Sequence, residues 1–196
     1  MTSLTQLASN FNDFLSLLTT QLQNQDPTSP LDTNQFTSQL VQFTSVAEQI
    51  NTNSTLGQLL TSSVAQQLDQ ATNLVGQTVK ISGGTLPLQN SSAQVDFQPT
   101  SAGPVQLTIA DANGNTVQTA TVNANSGSNT WTWDGKSASG TTAPDGAYTV
   151  NVTENGASVP FQSVGTVTGA QQSNHAVQLM FGTAGVGFDN VVSFGS

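Results

Sequence analysis

In Val64-Ala-Gln-Gln-Leu68-Asp-Gln-Ala-Thr-Asn-Leu-Val75-Gly-Gln-Thr-Val79-Lys-Ile81 the apolar spacing changes from four residues, between Val64 and Leu68, to two, between Val79 and Ile81. Spacings of three and four place side chains on one face of a helix, whereas a spacing of two places them on one face of a strand. The main boundary therefore falls near Val75. A Gln-, Leu- and Asn-rich helical part precedes it, a Thr-, Val- and Gly-rich strand part follows, and the fold class is α+β.

Upstream, Leu56, Leu60, Val64 and Leu68 recur at four-residue spacing. The pattern loses register at Asn51 to Thr55. Before that gap Phe36, Leu40, Phe43, Ala47 and Ile50 alternate at four and three residues, the rhythm of a coiled-coil seam. Asp32 followed by Gln35 reads as a capping box that starts this segment, giving one long helix or two. Further back, Leu4, Leu7, Phe11, Phe14, Leu15, Leu18 and Leu22 mark another helix face. Asp26-Pro27 and Ser29-Pro30 close it, because proline pushes the preceding residue out of helical conformation. Two such helices bury little by themselves, so Phe14, Leu18, Leu22, Phe36, Leu40, Phe43 and Ile50 are expected to form a helix-helix assembly seam.

Downstream, Val105, Leu107 and Ile109 alternate with polar residues, as do Val150 and Val152. Asn113-Gly114, Asp145-Gly146 and Asn155-Gly156 supply hairpin turns between such strands, and short strands at this spacing imply a sandwich or barrel.

Composition narrows the function. Charged residues make up 7% of the chain, where about 25% is usual. With two lysines, no arginine and a net charge of -9, the chain lacks the row of cations that neutralises phosphates, which excludes nucleic acid as a partner. No apolar run approaches the roughly 18 residues that span a bilayer, so membrane insertion is not expected. A basic stretch followed by an apolar core is missing near Met1, so ordinary Sec secretion is not expected either. Zero cysteines exclude disulfides, thiolate metal sites and cysteine nucleophiles.

Catalytic residues are few. His175 is the sole histidine, nothing marks a partner for it, and it reads as a surface or strand-end residue. Asp111-Ala-Asn113-Gly114-Asn115 resembles the start of a calcium loop but lacks the later Glu, and Asn-Gly between two alternating runs reads as a turn. Asp134 and Asp145 would form the carboxylate pair of a hydrolase, yet each precedes glycine, where Asp is a common turn residue. No cofactor is implied.

Phe14-Leu-Ser-Leu-Leu-Thr-Thr-Gln-Leu-Gln-Asn-Gln-Asp-Pro27, with Pro30-Leu-Asp32 and Phe36-Thr-Ser-Gln-Leu40-Val-Gln-Phe43, resembles the N-terminal signature of flagellar hook-capping proteins, also called basal-body rod modification proteins. The resemblance covers about the first 60 residues. Trp131-Thr-Trp133-Asp134-Gly135, followed by Gly140 and by Pro144-Asp145-Gly146-Ala-Tyr148, resembles the immunoglobulin-like module of that family. Residue by residue, the two tryptophans share a sheet face and the two Gly-containing segments turn the chain before the Tyr148 strand. Val75-Gly76 to Ile81 and Val177 to Phe194 resemble two pieces of the family's Tudor-like barrel. The resemblance thus implies residues 1–72 as a helical assembly and export region, 73–92 with 160–196 as a Tudor-like barrel, and 93–159 as an immunoglobulin-like sandwich. It also implies a non-enzymatic scaffold, exported through the flagellar type III apparatus to the distal end of the growing hook. There it would form a ring of copies, a pentamer in the family, that guides hook subunits. Phe36 and Leu40 fit the short Phe-x-x-x-apolar pattern of the export signal, as do Phe14 and Leu18.

An alternative function is an extracellular adhesin or carbohydrate-binding sandwich on a helical stalk. Paired tryptophans favour it, since exposed aromatics stack on sugars, and burial of Trp131 and Trp133 would remove that support.

Overall fold

The computed structural model describes residues 33–194, together with Ser9, Ser16, Thr19 and Thr20 as separate helical positions. The expected first helix face, with Phe14, Leu18 and Leu22, and the capping residue Asp32 lie outside the described residues.

The chain forms two compact units, residues 1–62 and 63–196. Helix α1, Thr33–Thr72, contributes to both. Within residues 41–62 only Phe43, Ala47 and Ile50 are half-buried and all others are exposed, which is the four-three spacing of the expected seam. The expected loss of register at 51–55 is not found. Ser54, Gly57 and Thr61 continue the same spacing from Ile50 to Val64, so the seam loses apolar side chains there rather than its phase. The helix continues through this polar stretch, and its hydroxyls find acceptors in the helix's own carbonyls, Thr52 in Glu48 at 2.8 Å, Thr55 in Asn51 at 3.0 Å and Thr61 in Gly57 at 2.9 Å. The last turns of α1 bury Val64 and Ala71, with Leu68 and Leu74 beside them. Gly76, at φ 85°, then redirects the chain, its N–H donating to the Val167 carbonyl at 2.8 Å.

The second unit is otherwise all β. Its strands are β1 (Thr78–Ile81), β2 (Thr85–Leu88), β3 (Ala93–Phe97), β4 (Gly103–Ala110), β5 (Thr116–Ala124), β6 (Asn129–Trp133) and β7 (Gly146–Glu154), then β8 (Ala157–Ser158), β9 (Phe161–Thr166), β10 (Gly169–Ser173), β11 (Ala176–Phe181), β12 (Ala184–Gly187) and β13 (Val191–Phe194). They pair antiparallel in three sheets ordered β13-β1-β9-β3-β6, β2-β7-β4-β5 and β10-β11-β12, with β8 beside β7. Two cores result. The larger contains Leu86, Leu88, Val95, Phe97, Leu107, Ile109, Trp133 and Val152; the smaller contains Val64, Ala71, Val79, Ile81, Leu179, Phe181 and Val186.

The expected boundary after residue 92 falls too late. Leu86 and Leu88 are buried in the larger core and β2 pairs with β7, so the chain changes cores between Ile81 and Leu86. The two β parts also share a sheet, because β9 pairs with β1 on one edge and β3 on the other. At Gly165 on β9 an added Cβ would lie 2.7 Å from the Phe181 ring and 2.9 Å from the Pro87 ring. Both neighbours are buried, so neither has room to move.

A second tie spans β9 on its outer face. Lys80 Nζ on β1 lies 2.8 Å from Asp96 Oδ2 on β3. Gln94 Nε2 and Thr130 Oγ1 also donate to Asp96, at 3.0 and 2.9 Å. Burial opposes ionisation of Asp96, but the bonds from Lys80, Gln94 and Thr130 outweigh it and hold its pKa below the ordinary 3.8.

Two expectations follow. Gly165→Ala forces the Phe181 and Pro87 rings apart and should destabilise the β unit by about 1–3 kcal/mol in urea denaturation. Asp96, with a pKa lowered on folding, stabilises above its unfolded value, and that stabilisation disappears as pH falls through the folded value. Wild type should therefore exceed Asp96→Asn in stability at neutral pH, and the difference should close below pH 3.8, as denaturation across a pH series would measure.

Candidate functional site

The signature residues of the β part meet at one end of the larger core. Alternation along β6 directs Trp131 and Trp133 to the same face. Trp133 is 1% exposed and Trp131 is half-buried against the same core. Trp133 packs edge-on against Tyr148, with ring centroids 5.0 Å apart, and its Nε1–H donates to the Lys136 carbonyl at 2.7 Å. The Tyr148 hydroxyl donates to the Pro144 carbonyl at 2.8 Å, which anchors the segment entering β7. Burial, with the nearby charges of Asp111 and Asp145, raises the Tyr148 pKa. Trp133 and Tyr148 thus fix two turns to the core, and burial of Trp133 leaves Trp131 as the one tryptophan of the pair with an exposed part, which weakens the feature that favoured an adhesin.

Asp145-Gly146 does not form the expected hairpin turn. Gly146 is the first residue of β7 and is not in the left-handed region. The Asp145 carboxylate instead accepts the backbone N–H groups of Asn90 and Ser91, at 2.7 and 2.9 Å, and so caps the β2–β3 turn. Gly135 presses on that turn from the other side: a Cβ there would lie 3.0 Å from the Ser91 carbonyl oxygen, and its φ of 69° suits glycine. Asp134 accepts the Lys136 N–H at 3.1 Å. Both carboxylates of the suspected hydrolase pair are thus engaged with backbone as turn residues.

The other turns follow their chemistry. Asn155 and Gly156, at φ 51° and 81°, make the two-residue hairpin between β7 and β8. At Asn113-Gly114 only the glycine is left-handed, and Asp111 Oδ1 accepts the N–H groups of Asn113 and Asn115, both at 2.9 Å. The bond from the Asn115 side chain, followed by the one from its backbone, lowers the Asp111 pKa. These bonds close the turn with the carboxylate that a calcium loop would have offered to an ion. His175 is exposed and occupies, with Asn174, a two-residue turn between β10 and β11 at φ 61° and 49°. Among the described residues no group of three or more His, Asp or Glu is placed to hold a metal.

Sequence reasoning missed Glu154 and Gln89. The Glu154 carboxylate, at the end of β7, accepts the hydroxyls of Ser101 and Thr100 and fixes the β3–β4 loop; the Ser101 bond is the main cause of its lowered pKa. The Gln89 side-chain amide pairs with the backbone of Thr166 in both directions, donating at 2.8 Å and accepting at 2.9 Å, and so extends the pairing of β9 beyond β3. Long-range partners of this kind leave no local spacing to read.

Of the helical candidates, Phe43 and Ile50 are half-buried. Phe36 and Leu40 lie on the backbone of α1, and their side chains are outside the described set. No described helix is long and apolar enough to cross a membrane.

Comparison with known proteins agrees with this arrangement. Residues 1–58 match the family model described as flagellar hook capping protein, N-terminal region, and residues 83–158 match the FlgD Ig-like domain model. The second match begins where the chain changes cores. The basal-body rod modification protein FlgD of Salmonella typhimurium is 36% identical over 152 residues, covering 72% of this chain and 66% of that protein. The corresponding protein of Escherichia coli is 37% identical over 157 residues, covering 72% and 65%. The chain thus spans about two thirds of the length of these relatives. The crystal structure of FlgD from Xanthomonas campestris, described as giving insights into the hook capping essential for flagellar assembly, aligns with a TM-score of 0.53 and 25% identity over 64% of this chain and 97% of that one. The chain belongs to the flagellar hook-capping protein family.

Proposed function

We propose that this chain caps the distal end of the growing flagellar hook and guides hook subunits into place, as a scaffold rather than an enzyme. The carrying observation is the family match at two separate stretches of the chain, residues 1–58 to the N-terminal capping region and residues 83–158 to the immunoglobulin-like module. The chemistry of the β unit supports the same reading. Asp145, Asp111, Glu154 and Asp134 bind backbone or hydroxyl groups that hold turns and loops, which is what a rigid scaffold requires.

In this proposal residues 1–72 serve assembly and export, with Phe14, Leu18, Leu22, Phe36, Leu40, Phe43 and Ile50 as the seam between copies. Residues 73 onward form the β plate against which hook subunits settle. A cap on a tube needs heterologous contacts that close into a ring, and the family resemblance gives that ring five members. Export through the flagellar type III apparatus would read Phe36 and Leu40.

Deletion of the gene in the source bacterium, followed by electron microscopy of basal bodies, tests the role. Rods without hooks, restored by the full chain, are expected; normal hooks would overturn it. In the same strain a Phe36→Ala, Leu40→Ala chain should accumulate inside the cell and fail to restore hooks, and undiminished export would remove the export assignment alone.

A further inference from the structure

Strand β5 is an edge strand of unusual character for a protein that stays monomeric. It is nine residues long, Thr-Val-Gln-Thr-Ala-Thr-Val-Asn-Ala from Thr116 to Ala124, and among the described residues it pairs along one side only, with β4. Edge strands are ordinarily protected by charge, proline, brevity or a bulge, because their free peptide groups invite another strand. β5 has no charged residue and no proline, and its register with β4 shifts only at the hairpin end, between Ile109 and Ala110.

The direction of its free peptide groups is fixed by three observations. Thr119 N–H donates at 3.0 Å to the side-chain oxygen of Gln118, so it does not serve the ladder with β4. The Val117 carbonyl accepts the N–H of Ala138, from the loop after β6. Asn123 stands opposite Pro104, which has no N–H to exchange, as suits a pair whose peptide groups point away from each other. Peptide groups alternate along an antiparallel strand, so Thr119, Thr121 and Asn123 all face outward, and the 135–143 loop covers the Val117 end.

We propose that the outward edge of β5, from Thr119 to Asn123, is a pairing site for the same strand of a second copy of this chain, with Thr121 on the two-fold axis. The covered end selects the register. Centring the pair on Ala120 would place Asn123 of one copy against the occupied Val117 of the other. Centring it on Thr121 places Thr119 opposite Asn123, Thr121 opposite itself, and Ala120 opposite Val122, so that Thr121 and Asn123 are matched directly and the Thr119 N–H exchanges its Gln118 side-chain acceptor for the Asn123 carbonyl of the other copy. No like charges meet, which matters for a chain of net charge -9 that would otherwise repel its copies. Such a pair is isologous and cannot propagate round a ring, so it is an association separate from the cap and does not depend on the capping role.

Because the chain has no cysteine, Thr121→Cys gives a single attachment point for a nitroxide label on an exposed side chain. Paired copies would hold residue 121 of each within about 5.5 Å at Cα, so the full chain should show dipolar broadening that disappears when diluted with unlabelled chain. Thr121→Pro removes an N–H that the β4 ladder does not use. It should weaken self-association in sedimentation at least tenfold, with the fluorescence of Trp131 and Trp133 unchanged as the check on folding. A chain that stays monomeric at millimolar concentration, an associated chain without broadening, or undiminished association of the folded proline variant would each overturn the proposal.

Discussion

Strand β9 is hydrogen-bonded along both edges, and its two neighbours, β1 and β3, contribute to different cores. The β unit depends on this arrangement. Gly165 lets the Phe181 ring of the smaller core and Pro87, next to the larger core, approach the β9 backbone more closely than any side chain would permit. Lys80 and Asp96 cross the same strand on the outer face, and Gln89 prolongs its pairing at Thr166. Hydrogen bonds and packing therefore join the two cores where a flexible linker would otherwise separate them, and residues 63–196 form one compact unit.

That rigidity suits the role of a scaffold. With 7% charged residues the chain has few ions for long-range steering, and among the described residues Asp111, Asp134, Asp145 and Glu154 are committed to backbone and hydroxyl groups inside the fold. Neutral Thr, Gln and Asn make up much of the remaining surface, and such groups favour contacts at short range with well-defined geometry. Helix α1 contributes differently in its two parts. Phe43, Ala47 and Ile50 are half-buried in the first unit, whereas Val64 and Ala71 are fully committed to the smaller core.

Much of this was legible in the sequence. The change of period at Val75 placed the end of the helix within a few residues, since α1 stops at Thr72 and β1 starts at Thr78. The positive φ of Gly114 and Gly156 followed from their asparagine neighbours. The failures have a common cause. Local pattern made Asp145-Gly146 a turn, but the Asp145 carboxylate reaches back some fifty residues to Asn90 and Ser91, and Gly146 extends as strand. The boundary at residue 92 was late because nothing local to Leu86 and Leu88 shows which core receives them; their partner β7 lies some sixty residues on. At Asn51 to Thr55 the missing apolar residues looked like lost register, although the helical phase persists through Ser54, Gly57 and Thr61. Gly165 carries no sign in its neighbours at all, because its partners come from β2 and β11.

The most direct test of the shared strand is equilibrium urea denaturation followed by two probes at once. Tryptophan fluorescence, from Trp131 and Trp133, reports the larger core, and hydrogen exchange at the Leu179 and Phe181 amides reports the smaller. If β9 joins the cores into one cooperative unit, the two transitions should coincide in midpoint and slope. Loss of the smaller core at lower urea, with Trp133 still buried, would contradict it.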